Sequence, residues 1–100
     1  MGDKIEANYE ELSNIQRLFN SEAESMNQLY TQTRQKVEHL HGAGWIGRGS
    51  EAFFAEMTSV VLPSMARLVK ALHDGAQATQ RIMQTFQAAE EESKSIFTAQ

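Results

Sequence analysis

Three histidines and one aspartate are the side chains in this sequence best suited to bind a metal ion, namely His39, His41, His73 and Asp74. His39 and His41 are two residues apart, so a helix would direct them to different sides. Zinc sites on helices use ligands three or four residues apart. The sequence also offers no Ser-His-Asp set, phosphate loop or paired carboxylates at usable spacing. We therefore expect no metal, no cofactor and no enzymatic activity.

A lone tryptophan near the middle of the chain is the more informative side chain. Trp45 lies among four of the six glycines, all between Gly42 and Gly49. Because glycine adopts backbone conformations closed to other residues, this segment predicts a turn over about 42–49. Gly42 stands where a glycine would end a helix, and Ser50 is the favoured N-cap of the next one. Trp45 brings a large apolar surface with one N–H donor to the turn, where it would plug the end of a helical bundle, be recognised by another protein, or do both.

Heptad patterns on both sides of the turn predict two helices, over about residues 4–41 and 50–97. Apolar residues recur at alternating spacings of four and three, as they do on helices with one buried stripe. The fold class that follows is all-α, an antiparallel helix-turn-helix hairpin forming a single domain over 1–100. The predicted stripe residues are Leu12, Phe19 and Met26 on the first helix, and Phe54, Val61, Leu68, Leu72 and Ile82 on the second.

Two places compete with an unbroken second helix. Pro63 lacks a backbone donor and clashes with the carbonyl of Ser59, which predicts a kink. A turn at Asp74-Gly75 would instead give three or four helices. The heptad phase passes through both places without a shift, and this favours one continuous helix.

Composition restricts the classes of partner. The chain has 100 residues, no Cys, one Pro and a net charge of -4, and its Lys and Arg residues are scattered, so we expect no nucleic-acid partner. No apolar run approaches the roughly 20 residues that span a bilayer, which predicts no stable membrane insertion. The first residues lack the apolar core of a signal peptide. We expect that a protein of this kind would leave the cell only by a leaderless route.

An isolated two-helix hairpin would leave apolar side chains outside its stripe. Ile15 and Leu29 flank the stripe of the first helix, and Val60 and Val69 flank that of the second. Soluble monomers rarely expose an apolar patch of this extent. We therefore expect a second hairpin to pack against the first and form a four-helix bundle. Nothing on the flanks demands a different partner, so a homodimer is favoured over a heterodimer.

The turn and the overall plan resemble one protein family. Trp45-Ile46-Gly47 lies at the midpoint of a 100-residue chain without Cys, and Gly49-Ser50-Glu51-Ala52-Phe53-Phe54 follows it. This arrangement resembles the WXG family of early-secreted-antigen-like proteins (ESAT/CFP-type), and the resemblance covers the whole chain. It implies a four-helix-bundle dimer that folds in the cytoplasm and is secreted by a type VII (ESX-type) system. The implied partners are a second copy or a paralogous WXG chain, and the type VII secretion ATPase.

The resemblance also implies an export signal in two parts. The first part is the turn, with Trp45 and Gly47. The second is a Tyr-x-x-x-Asp/Glu motif late in the second helix, which Phe86 and Glu90 match with Phe in place of Tyr. Residues four apart share one helix face, so the substitution keeps the spacing and loses a hydroxyl. The family thus implies a secretion substrate or adaptor; the alternatives are a dedicated partner or chaperone of a larger exported toxin, and a membrane-active effector.

Overall fold

The computed structural model describes the backbone of residues 2–99 and the side chains of residues 8–94. Within these limits the chain contains helices and one connecting turn and no strand, which confirms the all-α prediction. The elements follow in the order α1 (Gly2–Gly42), α2 (Arg48–Glu56), one π-helical turn (Met57–Val61) and α3 (Leu62–Ala99). The last three run on from one another without a break.

The chain divides into two units, each built from part of α1 and part of the later helices. Unit 1 comprises Met1–Asn20 and His73–Gln100, and unit 2 comprises Ser21–Leu72. In unit 1 the two stretches are antiparallel, because Phe19 lies beside Gly75 whereas Tyr9 lies beside Glu90. Unit 2 by itself is a helical hairpin, closed by the turn between α1 and α2.

The inward-facing side of α1 follows the heptad pattern. Neither glycine nor proline interrupts the helix between its two ends, so its backbone hydrogen bonds continue along its length. Ala23 is fully buried and Val37 is 7% exposed. The structure half-buries the three predicted stripe residues of this helix, Leu12, Phe19 and Met26.

A π-helical turn precedes the only proline of the chain. In an α-helix the ring of Pro63 would clash with the carbonyl of Ser59. The chain relieves this clash with a wider turn over Met57–Val61, in which the N–H of Leu62 bonds to the carbonyl of Met57, five residues back. The helix therefore continues across Pro63, by a device that the sequence pattern did not indicate.

Two hydroxyl groups support the wider turn. The Thr58 hydroxyl donates to the carbonyl of Phe54 at 2.7 Å, and the Ser59 hydroxyl donates to the carbonyl of Ala55. A hydroxyl that bonds back by four residues competes with the helical N–H for the same carbonyl. The residue types of this segment thus favour a local departure from α-helical hydrogen bonding.

The π turn contains one residue more than an α-helical turn and rotates the buried side of α3, so that one of the two alternating sets of stripe positions moves on by one residue. Val69 and Met83 are half-buried and Ala76 is 4% exposed. The predicted stripe residues Leu68 and Ile82, which precede Val69 and Met83, are instead 44% and 48% exposed. The expectation that the heptad phase passes Pro63 unchanged is therefore corrected.

The other predicted stripe residues of the second helix, Phe54, Val61 and Leu72, remain half-buried. There is no turn at Asp74-Gly75, because α3 runs through both residues. A Cβ atom on Gly75 would lie 2.8 Å from Cε1 of Phe19, so close approach of α1 within unit 1 requires the glycine. The alternative of three or four helices separated by such a turn is not what the chain adopts.

The end of α1 lies beyond the predicted position. Gly42 is still helical, and the left-handed residue is Gly44, with φ 83°. The N–H of Ala43 bonds to the carbonyl of His39 at 2.9 Å, and the N–H of Gly44 bonds to that of His41 at 3.4 Å. These bonds satisfy carbonyls that the end of a helix leaves without an intrahelical partner.

One helical stretch, Arg48–Lys94, contains a window of mean hydropathy 1.3 that is long and apolar enough, by length and composition alone, to cross a bilayer. Only 6% of that window is buried. This finding corrects the expectation that no apolar run approaches such a length. A core helix of a soluble protein passes the same test when its apolar residues are covered.

Candidate functional site

The backbone of the Trp-x-Gly turn depends on its glycine. Gly47 has φ 125° and ψ -179°, a region that is essentially restricted to glycine. The chain turns into α2 at this residue. In the same turn Trp45 is 41% exposed and Ile46 is 86% exposed. The turn therefore presents two apolar side chains at a fixed backbone corner.

Ser50 fixes this turn from the first residues of α2. The helix begins at Arg48 with Gly47 as its N-cap residue, so the prediction of Ser50 as N-cap is wrong. Because the helix starts earlier, Ser50 faces back toward the turn, where it is 5% exposed and its hydroxyl donates to the carbonyl of Trp45 at 2.8 Å. The N–H of Glu51 bonds to the carbonyl of Gly47 at 3.0 Å.

An aromatic cluster holds the indole of Trp45. Its ring centroid lies 5.5 Å from that of Phe53 and 5.6 Å from that of Phe54, at interplanar angles of 56° and 66°. The His41 ring meets Phe54 edge-on at 4.8 Å. Each such pair contributes about 0.5–1.5 kcal/mol beyond the area it buries. The cluster keeps the indole in place while part of it stays open to solvent.

A groove in unit 1 contains the second part of the predicted signal. Phe86 is 54% exposed, and the side chain of Glu90 is 34% exposed. The four-residue spacing places both on the same wall, as the helical period requires. The groove has a volume of about 330 Å³ and is lined by Asn8, Tyr9, Phe86, Ala89, Glu90 and Ser93.

Tyr9 joins Phe86 and Glu90 from the opposite helix. Its hydroxyl oxygen is buried beside the carboxylate of Glu90. Burial, followed by the carboxylates of Glu90 and Glu91, raises the pKa of Tyr9 above its ordinary value. Glu90 also lies 3.8 Å from the ammonium group of Lys94. The groove thus combines an apolar wall with one partly screened carboxylate.

The sequence pattern did not connect Tyr9 with Glu90. The signal that connects them is antiparallel pairing, because in unit 1 the beginning of α1 lies alongside the later part of α3. The structure therefore brings together Phe86 with Glu90 in unit 1, and Trp45 with Gly47 in unit 2. Among side chains 8–94 it gathers no three His, Asp or Glu residues that would hold a metal ion.

Comparison with protein-family models gives one match that decides the family. The model WXG100, described as proteins of 100 residues with WXG, matches residues 4–91. This chain belongs to the WXG100 family. The family comprises small helical secreted proteins and is known for substrates of type VII secretion. No curated protein and no solved structure matches this WXG100 chain.

Proposed function

We propose that this WXG100 protein is a non-enzymatic substrate or adaptor of a type VII secretion system, exported through a leaderless route after folding in the cytoplasm. Its export signal has two parts, the turn with Trp45 and Gly47 and the groove with Phe86 and Glu90. Membership of a family whose members are typically secreted supports export itself. The observation that carries the signal is a partly exposed tryptophan held at a glycine-only corner.

A tryptophan presented in this way suits recognition by another protein. Trp residues are over-represented among the side chains that contribute most to binding, and a side chain already fixed by its neighbours loses little entropy on association. The contacts of Trp45 with Phe53 and Phe54 fix it before any partner arrives. The proposed partner for this surface is the secretion ATPase or a second WXG chain.

The groove suits a partner side chain with a different chemistry. Its wall of Phe86 and Ala89 would cover an apolar group, and Glu90 would accept a hydrogen bond from an N–H donor. The phenylalanine at position 86 contributes area without a hydroxyl. We propose that this protein acts as a homodimer, and that a paralogous WXG chain is the alternative partner.

Export of single variants from a host strain with its own type VII system tests this proposal. Trp45→Ala and Phe86→Ala should each lower the ratio of secreted to cellular protein at least about tenfold, as expected when a side chain worth 1.4 kcal/mol or more of binding is lost. Ile46→Ala and Gln87→Ala are the matched controls, since each changes an exposed neighbour. Normal export of both Trp45→Ala and Phe86→Ala would reject the proposed signal.

Substitutions of two glycines test the backbone conformation at Gly47 separately from the side chain of Trp45. Gly47→Ala forces a side chain into a conformation that costs about 1–3 kcal/mol, whereas Gly49 has no positive φ and no atom within 4 Å of a built Cβ. Gly47→Ala should therefore reduce export and Gly49→Ala should not. Far-UV circular dichroism of the purified variants separates a lost signal from a lost fold.

The apolar stretch within Arg48–Lys94 favours one other function, a membrane-active effector. Leakage of dye from anionic liposomes at acidic pH is the direct measurement. We expect no leakage above background for the full chain, because a second copy would cover the apolar residues. Leakage at micromolar protein would support the membrane-active function instead.

A further inference from the structure

The groove in unit 1 has the size of a site for a small chemical group. Its volume of about 330 Å³ lies at the lower end of the range found for sites that bind small molecules. Phe86 on its wall is 54% exposed, and Ala89 lies beside it in the lining. An aromatic ring that is open to this extent within a concave surface leaves a large apolar area for a ligand to cover.

The charged group in this groove is a carboxylate. Among the described residues that line it, Glu90 alone carries a charge, and Asn8, Tyr9 and Ser93 add uncharged polar groups. The hydroxyl of Tyr9 lies buried beside the Glu90 carboxylate, and its raised pKa keeps it protonated and able to donate at neutral pH. A carboxylate has about four acceptor positions, so a hydrogen bond from Tyr9 leaves positions for further N–H donors.

The ion pair that Glu90 makes within the chain is weak. The ammonium group of Lys94 lies 3.8 Å from the Glu90 carboxylate, one turn further along the same helix, and the Lys94 side chain is 74% exposed. Water screens an exposed pair of this kind, so it contributes little to stability. A cation that also covers Phe86 would therefore compete effectively for the Glu90 carboxylate.

The two segments that carry the described lining residues are strongly acidic. Residues 8–11 and 86–94 contain five glutamates and one lysine, which leaves eight acidic and eight basic residues in the rest of the chain. The net charge of -4 is therefore the charge of these two segments. A surface of one sign steers a ligand of the opposite sign toward it, so the groove favours a cationic ligand.

A neighbouring depression on α3 has the opposite charge. Its volume is about 280 Å³, and its lining residues are Ala78, Arg81, Ile82, Thr85 and Phe86. Phe86 thus separates a basic depression from the groove with Glu90. Nine residues of helix place the backbones of Arg81 and Glu90 about 13 Å apart. A cation would be repelled by Arg81 and attracted by Glu90, so it would occupy the groove and not the depression.

We propose that the groove in unit 1 binds the guanidinium group of an arginine on a partner protein. A guanidinium is planar, stacks on aromatic rings and donates two parallel hydrogen bonds to a carboxylate, so it suits a site with Phe86 beside Glu90 better than an ammonium group does. The methylene groups of the arginine would cover Phe86 and Ala89. The inference rests on the proposed role of this groove in recognition, and it identifies the side chain that the partner contributes.

Nuclear magnetic resonance titration of the isotopically labelled full chain tests this site with three small ligands. N-acetylarginine amide presents the guanidinium, N-acetylcitrulline amide presents an uncharged urea of the same shape, and N-acetyllysine amide presents an ammonium group. The arginine ligand should bind with a dissociation constant on the order of 1 mM and shift the amide signals of residues 86–93. It should bind at least about fivefold more tightly than the citrulline ligand and at least about twofold more tightly than the lysine ligand. An affinity for lysine equal to that for arginine would overturn the choice of a guanidinium.

Variants separate the contribution of the carboxylate from that of the aromatic wall. Glu90→Gln should abolish the preference for arginine over citrulline, whereas Glu92→Gln, which removes an exposed carboxylate two residues away, should retain it. Phe86→Ala should weaken the binding of both ligands at least about threefold, and Gln87→Ala should weaken neither. Circular dichroism of the same samples checks that each variant folds. A preference for arginine that survives Glu90→Gln would overturn the assigned site.

Binding and export give separate outcomes. Equal binding of arginine and citrulline to the wild-type chain, which needs no variant, would overturn the arginine site and leave the proposed export signal to its own test by secretion. Normal export of Phe86→Ala, together with a fivefold preference of the wild-type chain for arginine, would support the arginine site and reject the role of the groove in export.

Discussion

Gly47 is the residue whose role the backbone fixes most firmly. At φ 125° and ψ -179° it needs the absence of a side chain, and this requirement gives the third position of Trp-x-Gly a physical reason. The glycine-rich composition was sufficient to predict a turn between helices. It was not sufficient to predict which glycines adopt positive φ, because four of them lie within eight residues and local hydrogen bonds decide among them. Gly44 and Gly47 adopt it, and Gly42 and Gly49 are helical.

Ser50 shows that residue type predicts the position of a helix cap less reliably than it predicts the presence of a turn. Serine is a preferred N-cap residue, yet a glycine already ends the turn three residues earlier and α2 begins there. The hydroxyl then bonds to the carbonyl of Trp45. The preference of serine for the N-cap position therefore did not decide where α2 begins. Its hydroxyl instead makes a hydrogen bond that depends on the conformation of the whole turn.

The free energy of unfolding of the wild-type chain should fall at alkaline pH, and Tyr9→Phe should reduce this fall. Burial and the nearby carboxylates of Glu90 and Glu91 raise the pKa of Tyr9 above 10.0 in the folded chain. The unfolded chain therefore loses this proton first as the pH rises. Stability from the neutral phenol is fully present below about pH 10 and falls as the pH rises toward the folded pKa. Urea unfolding at about pH 8 and about pH 11 measures the fall.

The chain's other tyrosine provides the control for this measurement. Tyr30→Phe should keep the alkaline fall that Tyr9→Phe reduces. At about pH 8, Tyr9→Phe should change the free energy of unfolding by no more than about 1.5 kcal/mol, because it removes a single hydroxyl group that lies beside Glu90. An equal alkaline fall in wild type and Tyr9→Phe would show that the phenol stays in water.

At the scale of elements, α1 was predictable from sequence and the buried side of α3 was not. An uninterrupted heptad pattern gave the inward residues of α1 down to Val37. On α3 the pattern contains two overlapping apolar sets, one with Leu68 and Ile82 and one with Val69 and Met83. Periodicity alone does not choose between sets that differ by one residue. The π turn at Met57–Val61 makes the choice, and it arises from a clash at a single proline.

Deleting one residue from the π turn should preserve the packing of α3. In a Pro63→Ala background, deletion of Val60 leaves an ordinary α-helical turn, and the residues on either side keep their facing directions. The free energy of unfolding should stay within about 1 kcal/mol of that of Pro63→Ala. Urea unfolding monitored by circular dichroism measures it.

Deletion of Gln77 in the same background is the matched control. Gln77, like Val60, is exposed, but it lies within α-helical α3. Its loss rotates every later residue by one position, takes Thr79 and Met83 out of the stripe, and should cost at least about 3 kcal/mol. Equal effects of the two deletions would contradict the one-residue shift that the π turn introduces.

At the scale of the whole molecule, length, the midpoint turn and the paired heptads predicted the family, and the match over residues 4–91 confirms it. The same features predicted helices without strands. They left the partner open, because exposed apolar side chains indicate that something covers them but do not identify it. Ile15 and Ile82 are exposed within the chain, and only a second molecule would change that.

The stability of this protein should depend on its own concentration. No large side chain among residues 8–94 is fully buried, so the proposed dimer would add much of the apolar burial and would couple association to folding. A 100-fold rise in concentration should then add about 2.7 kcal/mol to the apparent free energy of unfolding. This corresponds to an increase of roughly 5–10 °C in the midpoint of thermal unfolding. Ile82→Glu should lower the midpoint and weaken its dependence on concentration, whereas Gln80→Glu should leave both unchanged. A wild-type midpoint that is the same at about 1 µM and about 100 µM would mean that the packing within each chain suffices for its stability.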